Sequence, residues 1–110
     1  MSNLTSIFAD IPSRLPEELI QPLLNRPALR IERIVSRGHT SPEGFWYDQE
    51  ESEWILLLRG GARLRFEDGE IVEMTPGAFL EIPAHRRHRV DWTDPDNDTI
   101  WLALHYADQG

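Results

Sequence analysis

The sequence contains no cysteine, so no disulfide framework, zinc–thiolate site, iron–sulfur cluster or thiol nucleophile is available to it. Any metal would have to be held by nitrogen and oxygen donors. Long apolar runs are missing too. The longest, Trp54 to Leu58, is far too short to span a bilayer, and the N-terminal stretch carries Asp10, Arg14, Glu17 and Glu18 in place of the apolar core of a signal peptide. Positive charge is scarce: 11 basic residues stand against 19 acidic ones, for a formal net charge of −8. Such a field repels phosphate backbones and anionic lipid. Neither nucleic acid nor membrane is therefore expected as a partner, and the default expectation is a cytoplasmic protein. One local exception is the basic cluster Arg86, Arg87 and Arg89 around His88. It suits either an anionic ligand or a solvated loop salting against Asp91 and Asp94.

What remains is ordinary globular material. Hydrophobic residues make up 40% and charged residues 27% of the 110 residues, enough for one core and one domain over residues 1–110. Helical periodicity is confined to one place. Pro16 suits a first turn, Glu17 and Glu18 favour its positive end, and Leu19, Ile20, Leu23 and Leu24 recur at helical spacing before Pro27. This predicts a short helix over Pro16–Leu24 within an N-terminal segment 1–28. From Leu29 to Tyr106 the pattern is one of short β-like runs between turn residues, roughly seven or eight in all, without intervening helices. Ala62, Leu64 and Phe66 alternate with Arg63 and Arg65, and Asp68-Gly69 marks a hairpin tip. The expected architecture is an all-β barrel over 29–106. Because Trp54 to Leu58 is apolar on both faces, its outer side needs covering by the N-terminal helix or by a second copy of the chain in a homodimer.

Two stretches resemble the paired motifs of the cupin superfamily. In the second, Gly77, Pro83 and His88 hold the family's register, while His85 stands where a second glycine belongs and Trp92 where an asparagine belongs. In the first, Glu53 and Gly60 match. The positions of the family's two metal-binding histidines fall on Tyr47 and Gln49, or on Trp46 and Asp48 with the longer gap, and the opening glycine falls on Ser41 or Thr40. The gap from Gly60 to Gly77 has the family's length. The resemblance implies a double-stranded β-helix, or jelly roll, with its site inside the barrel. Of the four usual metal ligands, it leaves Glu53 and His88 in place.

The resemblance thus directs attention to an interior formed by Tyr47, Gln49, Glu53 and His88. Tyr47 and Gln49, two apart on an extended chain, share a face. Glu53 and His88 alone are too few to hold zinc, iron, manganese or nickel tightly; His85 swinging inward would complete two histidines and a carboxylate, with Gln49 adding only a neutral oxygen. The alternative is a metal-free pocket for an organic small molecule, drawing on aromatics such as Trp46, Trp54, Trp92 and Trp101. In the last run, Thr99, Trp101, Ala103 and His105 share one face and Ile100, Leu102, Leu104 and Tyr106 the other. The second set reads as core. The first looks into the pocket or out at a partner, which adds Trp101 and His105 to the candidates. His39, in a loop of glycine, serine and proline, is expected in solvent. No serine has a plausible histidine–aspartate pair and no glycine-rich phosphate cradle exists, so triad hydrolysis is not expected. A third alternative is a structural or interaction protein with a vestigial pocket.

Overall fold

A computed structural model describes residues 2–107. They form eight strands: β1 (Leu19–Arg26), β2 (Leu29–Ser36), β3 (Ser52–Arg59), β4 (Ala62–Phe66), β5 (Ile71–Met74), β6 (Phe79–Ile82), β7 (His88–Thr93) and β8 (Thr99–Tyr106). One sheet has five strands in the order β1-β2-β8-β3-β6, the other three in the order β5-β4-β7. Every pairing is antiparallel. The core draws on both sheets, with Ile55, Leu57, Trp101 and Ala103 from the larger and Ala62, Leu64 and Phe66 from the smaller. Strand β4 shows the alternation its sequence announces: Ala62, Leu64 and Phe66 are buried and both arginines exposed. Asp68-Gly69 turns the β4–β5 hairpin, with Gly69 at φ 102° and Asp68 Oδ1 accepting from the Glu70 amide.

The expected N-terminal helix is absent: among the described residues there is no helix at all, and Leu19–Arg26 is the edge strand β1. Pro22 explains the difference. In the interior of a short helix it would remove a backbone donor and clash with the preceding turn. On an edge strand it is tolerated, and the β1–β2 register shifts between Pro22 and Leu24 to accommodate it.

The expected core face of the last strand holds only at Ile100, which is fully buried, and is otherwise reversed. Thr99, Trp101, Ala103 and His105 are buried, whereas Leu102, Leu104 and Tyr106 are only half-buried on the outer side. The barrel interior is partly polar, so counting apolar residues picks the wrong face.

Trp54, Leu56 and Leu58 are half-buried on the outer side of β3, and in place of a helix an N-terminal strap is fastened to the large sheet. Arg33, 5% exposed, donates from Nη1 to the carbonyls of Ile7 and Ala9 at 3.0 and 2.6 Å. Arg37 reaches the carbonyls of Ser13 and Pro12 while paired with Asp98. The Arg59 guanidinium lies 4.7 Å from the Phe8 ring. Beyond the strap, Trp54 packs on Phe79, which remains 66% exposed.

Gly60 closes β3 onto β4 at φ +90°, and a Cβ there would lie 2.3 Å from Thr99 Oγ1 and 2.6 Å from Thr99 Cα. Gly77 has the same φ, but a Cβ there would meet nothing within 4 Å. Gly77→Ala should therefore cost only backbone strain, about 1–2 kcal/mol. Gly60→Ala adds a clash with backbone atoms and should cost about 3 kcal/mol or more. Equal urea midpoints for the two variants would refute this.

Candidate functional site

The larger sheet delivers acidic and imidazole groups to one end of the barrel because inward positions alternate along its strands. On β3, Glu53 and Ile55 point inward; on β8, Trp101 and His105 do so, and the register sets Glu53 directly opposite His105. Next door, β2 sets Glu32 against Ala103. From the smaller sheet comes His88, the first residue of β7. The loop residue Tyr47 pairs with it by two backbone hydrogen bonds, of 2.7 and 3.2 Å, and stacks on its ring with centroids 5.4 Å apart.

Tyr47, Gln49, Glu53, His88, Trp101 and His105 all line one cavity of about 110 Å³, together with Glu18, Glu32 and apolar side chains such as Ile55 and Leu64. Glu18, Tyr47 and Val90 also border a second hollow that opens toward His39 and Pro42. His39 lies half-buried there, contrary to the solvent exposure expected of it; its ring accepts from the Arg37 amide and its carbonyl from Thr93.

The polar contacts are specific. Glu53 is 8% exposed, and its Oε1 lies 3.6 Å from His88 Nε2 and its Oε2 3.5 Å from His105 Nε2. Both distances exceed a charge-assisted hydrogen bond of about 2.7–2.9 Å. His105 Nε2 is 2.9 Å from Glu32 Oε1, and Glu32 Oε2 in turn is 3.5 Å from Arg30. His88 Nδ1 lies 2.9 Å from the Arg86 carbonyl, an acceptor, so Nδ1 carries the hydrogen and Nε2 faces Glu53. Two buried groups are left over: Trp101 Nε1 and His105 Nδ1 have no hydrogen-bond partner among the described residues. The Tyr47 phenol has its pKa raised, first by burial and then by the nearby Glu18 and Glu53 charges. It stands in the cavity wall as a neutral hydroxyl.

Glu18 and Glu32 were not among the sequence candidates. Glu18 lies outside any strand and carries no local signal. Glu32 shares a face with Ile34 on β2, but only the β2–β8 register shows that this face looks inward.

His85 does not join the cavity. Its side chain is 64% exposed and pairs with Asp48 at 2.8 Å. At φ 63° it adopts the left-handed conformation proper to the glycine whose place it takes, and its amide donates to the Gln49 carbonyl. The basic cluster resolves into surface ion pairs: Arg86 with Asp68 and Glu70, Arg87 with Glu67, Arg89 with Asp91. Asp94, expected among these partners, instead accepts hydrogen bonds from the Asp96 amide and the Asn97 side chain.

A divalent metal does not fit these residues. Among the described residues no group of three or more histidines, aspartates or glutamates is arranged to hold one. The phenol and amide at positions 47 and 49 replace imidazoles, and His85 faces outward. His105 stands beside Glu53 and His88, but its Nε2 is held by Glu32 at 2.9 Å in place of a metal.

Two facing antiparallel sheets around an inward polar cavity define a double-stranded β-helix barrel. The chain belongs to the cupin domain family, whose model matches residues 34–105. Among solved structures it is similar to a protein of Ralstonia eutropha JMP134 named as a candidate mannose-6-phosphate isomerase, with 45% identity over 97% of this chain and 100% of that one and a TM-score of 0.93. A cupin superfamily protein of Desulfitobacterium hafniense DCB-2 shares 19% identity over 89% of this chain and 84% of that one, with a TM-score of 0.73. A cupin family protein of Methanocaldococcus jannaschii with a double-stranded β-helix fold shares 16% over 89% and 87%, with a TM-score of 0.69. These last two likenesses are of fold alone. No curated protein matches the chain.

The Tyr47 environment makes a pH prediction. Its folded pKa lies above the ordinary tyrosine value of 10.0, so the stability it contributes is whole below that pH and is lost as pH rises through the folded value. Ultraviolet difference titration of wild type against Tyr47→Phe should show a missing phenol that ionises above the ordinary range. A missing phenol that ionises at the ordinary value would contradict the burial argument.

Proposed function

We propose that this protein binds a small organic molecule inside the barrel through its own side chains, without a metal. One observation carries the reading: Trp101 Nε1, on a ring that lines the cavity, is buried with no acceptor. A buried donor left unpaired costs about 1–3 kcal/mol, a cost a ligand oxygen would remove. The loss of the family's first-motif histidines to Tyr47 and Gln49, both on the cavity wall, supports the same reading. So does the apolar lining, which suits burial of an organic skeleton.

The name of the Ralstonia protein suggests a phosphosugar as an alternative ligand. For this chain the cavity argues against it. No arginine lines the cavity, all 11 basic residues are arginines, and a phosphate would face Glu18, Glu32 and Glu53 unpaired.

A metabolite panel screened by thermal shift, with metal analysis of protein purified without chelator, tests the proposal. The expected outcome is at least one organic ligand that raises the melting temperature, a shift cut back by Trp101→Phe. Bound metal should stay below about a tenth of an equivalent. Stoichiometric metal lost on Glu53→Ala would overturn the metal-free reading.

We also propose that a second copy of the chain covers the outer face around Trp54 and Phe79 that the strap leaves open. Sedimentation should show a dimer that Phe79→Asp converts to monomer; a wild-type monomer at high concentration would refute it.

A further inference from the structure

We propose that the occupant of the cavity is a small organic cation, an alkylammonium or amidinium that also carries one oxygen acceptor. This rests on the small-molecule reading above and narrows it to one chemical class.

The argument begins with the facing atoms of Glu53 and His88. Because the Arg86 carbonyl takes the Nδ1 hydrogen of His88, Nε2 is the ring atom presented to Glu53 Oε1, 3.6 Å away. That gap is too long for a hydrogen bond. An N–H donor inserted there serves the carboxylate oxygen. Glu53 Oε2 fares no better, since the His105 Nε2–H it faces at 3.5 Å is already given to Glu32 at 2.9 Å. The inner end of the cavity is therefore short of donors, and a ligand would have to supply them.

Charge points the same way. Three carboxylates, Glu18, Glu32 and Glu53, line the cavity with no arginine among its walls. Arg30 reaches Glu32 Oε2 from outside at 3.5 Å while held by Glu51 at 2.5 Å, and Arg37, Arg63 and Arg86 are committed to Asp98, Glu73 and Glu70. A cation offsets this buried charge, whereas an anion would add to it. The rings of Tyr47 and Trp101 in the wall add aromatic surface that attracts cations.

Independent of the acidic groups, Trp101 is 5% exposed and its N–H lacks an acceptor. That donor asks for an oxygen on the ligand. Size sets the last limit. A volume of about 110 Å³ falls below the roughly 150 Å³ of a cavity that holds benzene, so the part of the ligand seated in it spans a few heavy atoms. An amino alcohol is the simplest species that meets all three demands.

The test uses 2-aminoethanol as the cationic probe, 1,2-ethanediol as its neutral counterpart, and mannose 6-phosphate and inorganic phosphate as anions. Melting temperature and tryptophan emission are read on the full chain. The expected result is a saturable shift with 2-aminoethanol in the millimolar range, as befits so few atoms. Binding of 1,2-ethanediol should be weaker by about tenfold or more, the factor of a lost charge-assisted hydrogen bond. The two anions should produce no shift. Glu53→Gln should weaken the amine by a similar factor, and Trp101→Phe should weaken the amine and the diol alike. Should Glu53→Gln fail to fold, Glu18→Gln at the cavity's outer side carries the same test with a smaller loss.

Amine binding that survives both glutamine variants, or an anion that stabilises more than the amine, overturns the inference. If the diol binds as well as the amine and Trp101→Phe weakens both, the cation inference falls while the small-molecule reading stands. If no probe moves either signal, both fall.

Discussion

A carboxylate carried into the interior of a small β-barrel is costly unless its charge is met, because taking such an ion out of water costs several kcal/mol even after relaxation. Glu53 is in that position. Its neighbours on the barrel wall, His88 and His105, stand at 3.6 and 3.5 Å, near enough to interact and too far to satisfy it. Much of what is distinctive about the cavity follows from this partial match. The β3–β8 register places His105 opposite the carboxylate, Glu32 claims the His105 Nε2 that points toward it, and the Arg86 carbonyl, bound to Nδ1, turns Nε2 of His88 toward it. A packed core would have replaced these groups with aliphatic side chains, and a metal site would have turned the donor atoms of Glu53, His88 and His105 onto one point, where Glu32 instead holds His105. This barrel does neither, so a polar vacancy stands beside an apolar wall.

The second motif shows how the family's backbone survives a change of side chain. His85 occupies a position where the chain needs positive φ, and it adopts that conformation at 63°. Histidine is among the few non-glycine residues that do so with some frequency. Its side chain then points into solvent toward Asp48, and its amide still closes the loop onto Gln49. The imidazole nearest in sequence to His88 is thereby excluded from the site by backbone geometry alone. The second imidazole in the cavity is His105, from β8.

How much of this was legible in the residues varies with the signal. The alternation of Ala62 to Phe66 and the Asp68-Gly69 tip are local patterns, and local patterns report strand faces and turns directly. Glu53 and His88 were found through motif spacing, which encodes register indirectly. Glu32 was not, since its inward orientation depends on pairing with a strand some seventy residues away. The N-terminal stretch failed for a different reason: Leu19, Ile20, Leu23 and Leu24 mimic a helical stripe, and the position of Pro22 inside that stripe outweighs them. On β8 the more apolar face proved to be the outer one, because the interior around the cavity is built from threonine, tryptophan and histidine.

The strap over the large sheet is fastened by guanidinium groups that grip main-chain oxygens of Ile7, Ala9, Pro12 and Ser13. A fastening of this kind is indifferent to the side chains it holds. Residues along the strap are thus free to drift, and the hydrophobic ones among them, Leu4 and Phe8, are available to be reshaped for whatever the outer surface meets. Arg33 and Arg37 have no such latitude, because no other side chain could replace their several directed donors.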